Sequence, residues 1–443
     1  MPTSPPTPRL LFLDWLRIIA FFLLVLYHVG MYYVSWDWHV KSALAGPGLE
    51  PFMLLSSPWR LGLLFLIGGA AAAMSLRRLG SCAFLRRRSV RLLLPLLFGM
   101  LVVVPPQSYF EVVEDLGFDG GYLRFMALYL QGYQGFCDGD GCLFLPTWNH
   151  LWFVPYLWAY GLVLALLAAG AGARLPHWAS MAAAQLHGWK LIVLPAACLA
   201  LARVSLLREF GETHMFVDDW FNHATYLFLF LLGALFAHAP QCWPRFVAMR
   251  WHALALALAG WAAIVTWRAL WKADAPGIDF EAMFAPMAAV YATTAWSAIA
   301  AACGFGAHHL ERDGPARRYL VEAVFPVYIV HQTLIVVLAH WFKPARLAPG
   351  IEGMLLTVLT LTLSFAIFET VRRVGLLRPL FGLPFKRKAK VETEVETEVE
   401  TEVETEVEPK VETGTNAKAE TEAGPKSGLA PAGPGLARRR QPV

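Results

Sequence analysis

Two residues in the first apolar stretch have side chains that could do chemistry. Arg17 and His28 stand eleven positions apart within LDWLRIIAFFLLVLYHVGMYY. At 3.6 residues per turn that is close to three turns, so a helix places both on one face. Their vertical separation is roughly 16 Å at about 1.5 Å per residue. A guanidinium holds anions, and an imidazole near neutral pH takes or gives a proton. Asp14, one turn before Arg17, can pair with it. Ionisable groups inside a bilayer are costly and mark function by default. Arg17 also reads as a long cation snorkelling to the interface, and His28 as a hydrogen bond between helices.

Further candidates follow along the chain. Arg88 and Arg91 lie three apart in RRRSVRLLLP and share a helix face. Guanidinium groups there could clamp phosphates bidentately, or the cluster could be ordinary cytoplasmic anchoring. His331, with Gln332, interrupts the apolar run FPVYIVHQT as a second intramembrane imidazole. His150 follows Trp148 in WNHLWF and reads as interfacial or functional. Glu369 can pair with Arg372 or Arg373. Cys137 and Cys142 bracket Asp-Gly-Asp-Gly, where a local disulfide fits an oxidising compartment. Calcium at Asp138 and Asp140 lacks the full loop pattern. No C-x-x-C pair, phosphate-binding glycine loop, H-E-x-x-H or G-x-S-x-G occurs, so nucleotide hydrolysis and metalloprotease chemistry have no support.

The elements that must position these residues are membrane helices. The 443 residues are 57% hydrophobic and only 16% charged, against roughly 45–50% and about 25% in soluble domains. Ten apolar runs approach or reach the length needed to cross a bilayer: 10–33, 52–76, 92–109, 150–171, 190–207, 223–238, 251–270, 284–304, 321–341 and 354–371. The expected fold is an all-α, polytopic bundle of about ten spans. The first run should be retained rather than cleaved, since Arg17 and His28 interrupt it and no A-x-A site follows. Arg77, Arg78 and Arg86 to Arg91 fall between spans two and three, Arg312, Arg317 and Arg318 between eight and nine, and Arg372 to Lys388 after ten. This bias puts both termini in the cytoplasm. Acidic residues, Glu111, Glu114 and Asp115 among them, fall in the outer connections. From 389 to 443 the chain changes to Val-Glu-Thr-Glu repeats and then Ala, Gly, Pro and Lys, a composition expected to be disordered. The membrane domain is thus 1–388.

The chain resembles the acyltransferase-3 family of integral membrane acyltransferases, and within it the glucan biosynthesis protein C type, which succinylates periplasmic glucans. The match rests on Arg17 and His28 in FLDWLR…H, Trp38 to Ser42, Arg88 and Arg91 with Pro95 after them, His150 to Phe153, Tyr328 to His331, and Leu377 to Phe381, over residues 9 to 385. The resemblance implies an enzyme that moves a succinyl or acetyl group from cytoplasmic acyl-CoA, a co-substrate rather than a bound cofactor, to a hydroxyl of a periplasmic glucan or other glycan. It implies the bacterial inner membrane, with the lipid bilayer as surroundings and no nucleic acid partner. Arg88 and Arg91 would hold the donor's phosphates, with Arg17 along its path. His28 would act as general base or carry the acyl group briefly; His331 and His150 stand behind it. A succinyl group would need a further cation near His28, for which Lys41 and His39 are candidates. Two other readings stay open: a glycan exporter or flippase using His28 and His331 as a proton relay, and a non-catalytic partner in envelope assembly.

Overall fold

The computed structural model describes residues 10–138, 141–273, 279 and 281–385. The low-complexity tail lies outside the described residues. The helices are α1 (Leu11–Met31), α2 (Glu50–Ser56), α3 (Arg60–Leu79), α4 (Ser81–Phe98), α5 (Pro105–Leu116), α6 (Tyr122–Leu130), α7 (Phe153–Ala171), α8 (Leu175–Gln185), α9 (Lys190–Phe210), α10 (Trp220–His238), α11 (Cys242–Lys272), α12 (Phe284–His309), α13 (Pro315–Phe342) and α14 (Pro349–Arg373). Among the described residues there is no β-sheet. Ten segments are long and apolar enough to cross a membrane, each overlapping one of the ten runs. Only helices and closed barrels satisfy their own backbone in hydrocarbon, so a polytopic helical bundle is the form such a sequence must take.

Two of the crossings are compound. The second runs Pro47–Leu79 and breaks between α2 and α3, which places Arg60 at the first turn of α3. The third runs Ser81–Leu116. There Pro95 sits inside α4, a π-helical turn occupies Gly99–Val103, and Pro105 opens α5. Proline removes an amide donor, and π-bulges absorb the resulting shift of register. This crossing bears out one sequence expectation and corrects another. Arg88 and Arg91 lie on α4, as the shared helix face expected for them requires, and that helix begins at Ser81. Glu111, Glu114 and Asp115 lie on α5, where Glu114 pairs with His340, at 2.7 Å, and with Lys343.

Small residues set the closest helix contacts, as expected where lipid offers no hydrophobic drive. A β-carbon added at Gly69 would stand 1.8 Å from the carbonyl oxygen of Phe230, and one at Gly233 would stand 1.8 Å from that of Leu66. The two glycines therefore put α3 and α10 in backbone contact. The apolar interior falls into two large clusters. One is built mainly on α3, α7 and α9 to α12, the other on α1, α13 and α14. Leu61, Phe153 and Leu157 border both, and the site lies along that seam.

Candidate active site

His28 and His331 meet across α1 and α13, with His28 Nδ1 2.9 Å from His331 Nε2. Their rings stack at an interplanar angle of 15°. Pro326 lies inside α13, five residues before His331, where it removes one backbone hydrogen bond of the helix. His331 Nδ1 lies 2.6 Å from the Tyr328 carbonyl oxygen. A carbonyl only accepts, so Nδ1 carries the proton, and a neutral His331 offers the lone pair of Nε2. His28 must then donate from Nδ1, which leaves its Nε2 unprotonated. The partner of one ring nitrogen decides what the other can do, and here His28 Nε2 is a base. One proton lies between the facing nitrogens, so at most one ring is charged.

Two cavities converge on His28. The first, about 290 Å³, is lined at one end by Arg17, Arg87, Arg88 and Arg91 and at the other by His28, Arg60, His150 and Tyr328. The second, about 1270 Å³, runs from His28 and Arg60 toward the opposite side, past Trp36, Asp37, Arg208, Glu212, Trp271 and Lys272. Those residues lie at the ends of crossings, or in connections, opposite to the one carrying Arg77 to Arg91. Four residues, His28, Arg60, Leu61 and Trp152, belong to both linings.

At the arginine-rich end, Arg17 pairs with Asp14 at 3.6 Å. Asp14 is shared with Arg317, which is fully buried and also bonds Asp313 at 2.8 Å. Arg317, read from the sequence as a loop charge, is thus a buried tie between α13 and α1. Arg88 donates to the Leu157 carbonyl at 2.7 Å. Its side chain crosses α7 at Gly161, where an added β-carbon would stand 2.3 Å from Arg88 Nε. Glu369 bonds Arg372 and Arg373 at 3.1 and 3.0 Å.

A polar layer backs the imidazole pair. His150 is buried and donates from Nε2 to the Ile329 carbonyl at 3.0 Å. It opens the fourth crossing and faces the interior of the bundle. Gln107 reaches His150 Nδ1 at 3.3 Å and accepts from Asn149 at 3.2 Å and Gln332 at 3.1 Å. Gln332 also meets His39, which bonds Glu111 at 2.7 Å. Burial opposes charge on His39, but the Glu111 carboxylate outweighs it and raises the imidazole above its ordinary value. Lys41 donates to the carbonyls of Met31, Val34 and Trp36 at the end of α1. Neither His39 nor Lys41, the candidates for an extra cation, lines either of the two cavities at His28.

Arg60 does lie there, and sequence reasoning passed over it inside an apolar run. The signal was available, since an arginine interrupts PWRLGLLFLIGG where an anchor at the run's edge would not. Gln107 and Asn149 were missed as well; uncharged amides carry no comparable signal. Cys137 and Cys142 form a disulfide. Asp140 lies outside the described residues, and among the described residues no cluster of His, Cys, Asp or Glu side chains could hold a metal ion.

A bundle of ten crossings, with an imidazole lining two opposed cavities, defines a class, a polytopic helical membrane protein with a polar cavity junction in its interior. Residues 10–369 match the family model described as an acyltransferase domain, Acyl_transf_3, and the chain belongs to that family. Membership implies acyltransferase function of a general kind. No curated protein and no solved structure matches the chain.

Proposed function

We propose that the protein is a membrane-bound O-acyltransferase of the bacterial inner membrane. It takes a succinyl or acetyl group from cytoplasmic acyl-CoA and passes it to a hydroxyl of an extracytoplasmic glucan or other glycan. The observation that carries this reading is the pair of opposed cavities sharing His28 and Arg60. Donor and acceptor on opposite sides of a bilayer need such a meeting point.

The donor enters at the arginine-rich end, where Arg17, Arg88 and Arg91 hold its phosphates by charge-assisted hydrogen bonds. The roughly 16 Å rise between Arg17 and His28 is a length the flexible pantetheine arm spans. The acceptor hydroxyl enters from the larger cavity. His28 Nε2 removes its proton as the hydroxyl oxygen attacks the thioester carbonyl carbon. A C–O bond forms, the C–S bond breaks, and the coenzyme A thiolate leaves with the proton returned from His28. His331 is a positioning residue that holds His28 in the productive tautomer.

Labelled acetyl-CoA and succinyl-CoA, supplied to membranes with periplasmic glucan, test the proposal. Transfer by the wild type that disappears in His28→Ala at equal protein level is the expected result. No transfer from either donor, combined with glycan export that depends on His28, would replace the enzyme by the exporter.

A further inference from the structure

Among the described residues Arg60 is the one cation that borders both cavities, and it is 4% exposed. Its guanidinium carbon lies 3.4 Å from the centre of the Tyr27 ring. Stacking of this kind covers the face of the guanidinium and leaves its N–H edge for other partners. Nε and Nη1 are buried without a hydrogen-bond partner. Among the described residues no salt bridge to Arg60 is formed; of the carboxylates lining the outer cavity, Glu212 pairs with Arg203 and Glu281 with Arg208.

A buried cation with unmet donors is expensive unless an anion arrives to meet it. Built into an interior at a cavity junction, it indicates an anion that is present only during turnover. The reaction proposed above creates one there. When the acceptor oxygen attacks, the thioester carbonyl oxygen takes the negative charge of a tetrahedral intermediate. The attacked carbon must lie where the donor and acceptor cavities touch, which is where Arg60 stands beside His28.

We propose that Arg60 is a catalytic residue that donates hydrogen bonds to this oxyanion. The inference rests on the acyltransferase reading. Preorganised donors aimed at charge that develops in the transition state carry a large share of catalysis in water-poor sites. An alternative anion in the same place would be the distal carboxylate of a dicarboxylic acyl group, held in the ground state. The position favours the oxyanion, because a group shared by both cavities lies at the reacting carbon rather than at the far end of one of them.

The test compares wild type, Arg60→Lys and Arg60→Gln in membranes, with acetyl-CoA and succinyl-CoA as donors. Binding of the unreactive thioethers S-ethyl-CoA and S-(3-carboxypropyl)-CoA reports the donor site and confirms folding. For an oxyanion donor, Arg60→Gln lowers kcat about 100- to 1,000-fold with either acyl group. Thioether binding stays within about threefold of wild type, and Arg60→Lys recovers part of the rate. Loss confined to succinyl transfer, with weaker binding of the carboxylated thioether alone, would overturn the assignment in favour of a carboxylate site. Unchanged kcat in Arg60→Gln overturns it outright. Failure of the wild type to transfer either group overturns the acyltransferase reading itself, an outcome separate from both.

Discussion

His331 provides a sharp check on how the site works, because it is assigned no contact with substrate. Its role is to accept the proton of His28 Nδ1 over 2.9 Å while its own Nδ1 is anchored 2.6 Å from the Tyr328 carbonyl. In His331→Phe the cavity stays filled, but His28 loses that acceptor. The imidazole can then carry its proton on Nε2, which removes the base, or rotate away from the junction. A buried hydrogen bond whose partner is left unsatisfied is worth about 1–3 kcal/mol. The upper part of that range corresponds to a fall in kcat of about 100-fold, at 1.36 kcal/mol per tenfold. It sits at the low end of the ~10²–10⁴ attributed to general base catalysis. His331→Gln keeps an amide oxygen able to accept from Nδ1 and should recover at least tenfold of that loss, an estimate on the same scale. The assay is acyl transfer in membranes at matched protein level, with kcat and KM separated and KM for acyl-CoA expected to hold. Equal rates for His331→Phe and wild type would refute the tautomer argument. Equal and severe losses in both variants would show that His331 itself handles a substrate proton.

Two further outcomes follow from the geometry. Arg91→Ala removes a charge-assisted contact worth about 1.5–3 kcal/mol and should raise KM for acyl-CoA at least about tenfold with little change in kcat; a fall in kcat alone would dissociate the arginine cluster from donor binding. The His39–Glu111 pair gains its ion-pair contribution only while His39 is charged; the neutral imidazole keeps a weaker hydrogen bond from Nδ1. Its folded value is raised, so the contribution is fully present below the unfolded value of about 6.5 and is lost as pH climbs through the raised one. Thermal unfolding in detergent should therefore show a decline in Tm over that window that is absent in Glu111→Gln, and a flat wild-type profile would contradict the pairing.

Most of the fold was legible because the bilayer forces the sequence to declare it. Apolar runs of sufficient length have one secondary structure open to them, and each of the ten became a crossing. Their ends were less legible, since an amphipathic segment such as the one carrying Glu111 to Asp115 looks like a loop when only hydropathy is read. In the site, the His28–His331 contact was not predictable from spacing, because 303 positions separate the two rings. Both had been singled out by the cost of placing imidazoles in hydrocarbon. The same criterion applied evenly would have found Arg60. Lys41 looked like a cation available to the site and is instead bound to three carbonyls at a helix end, a local role that composition does not reveal.

The seam at His28, Arg60, Leu61 and Trp152 also bears on energy conservation. Cavities that enter a membrane from both faces shorten the barrier against ions to whatever separates them. Among the described residues the two linings share only those four, two of them bulky and apolar. A fixed positive charge at that junction repels hydronium and other cations, as charged constrictions do in pores that must stay proton-tight. In the proposed reaction, donor and acceptor would therefore meet across the bilayer without opening a path for protons through it.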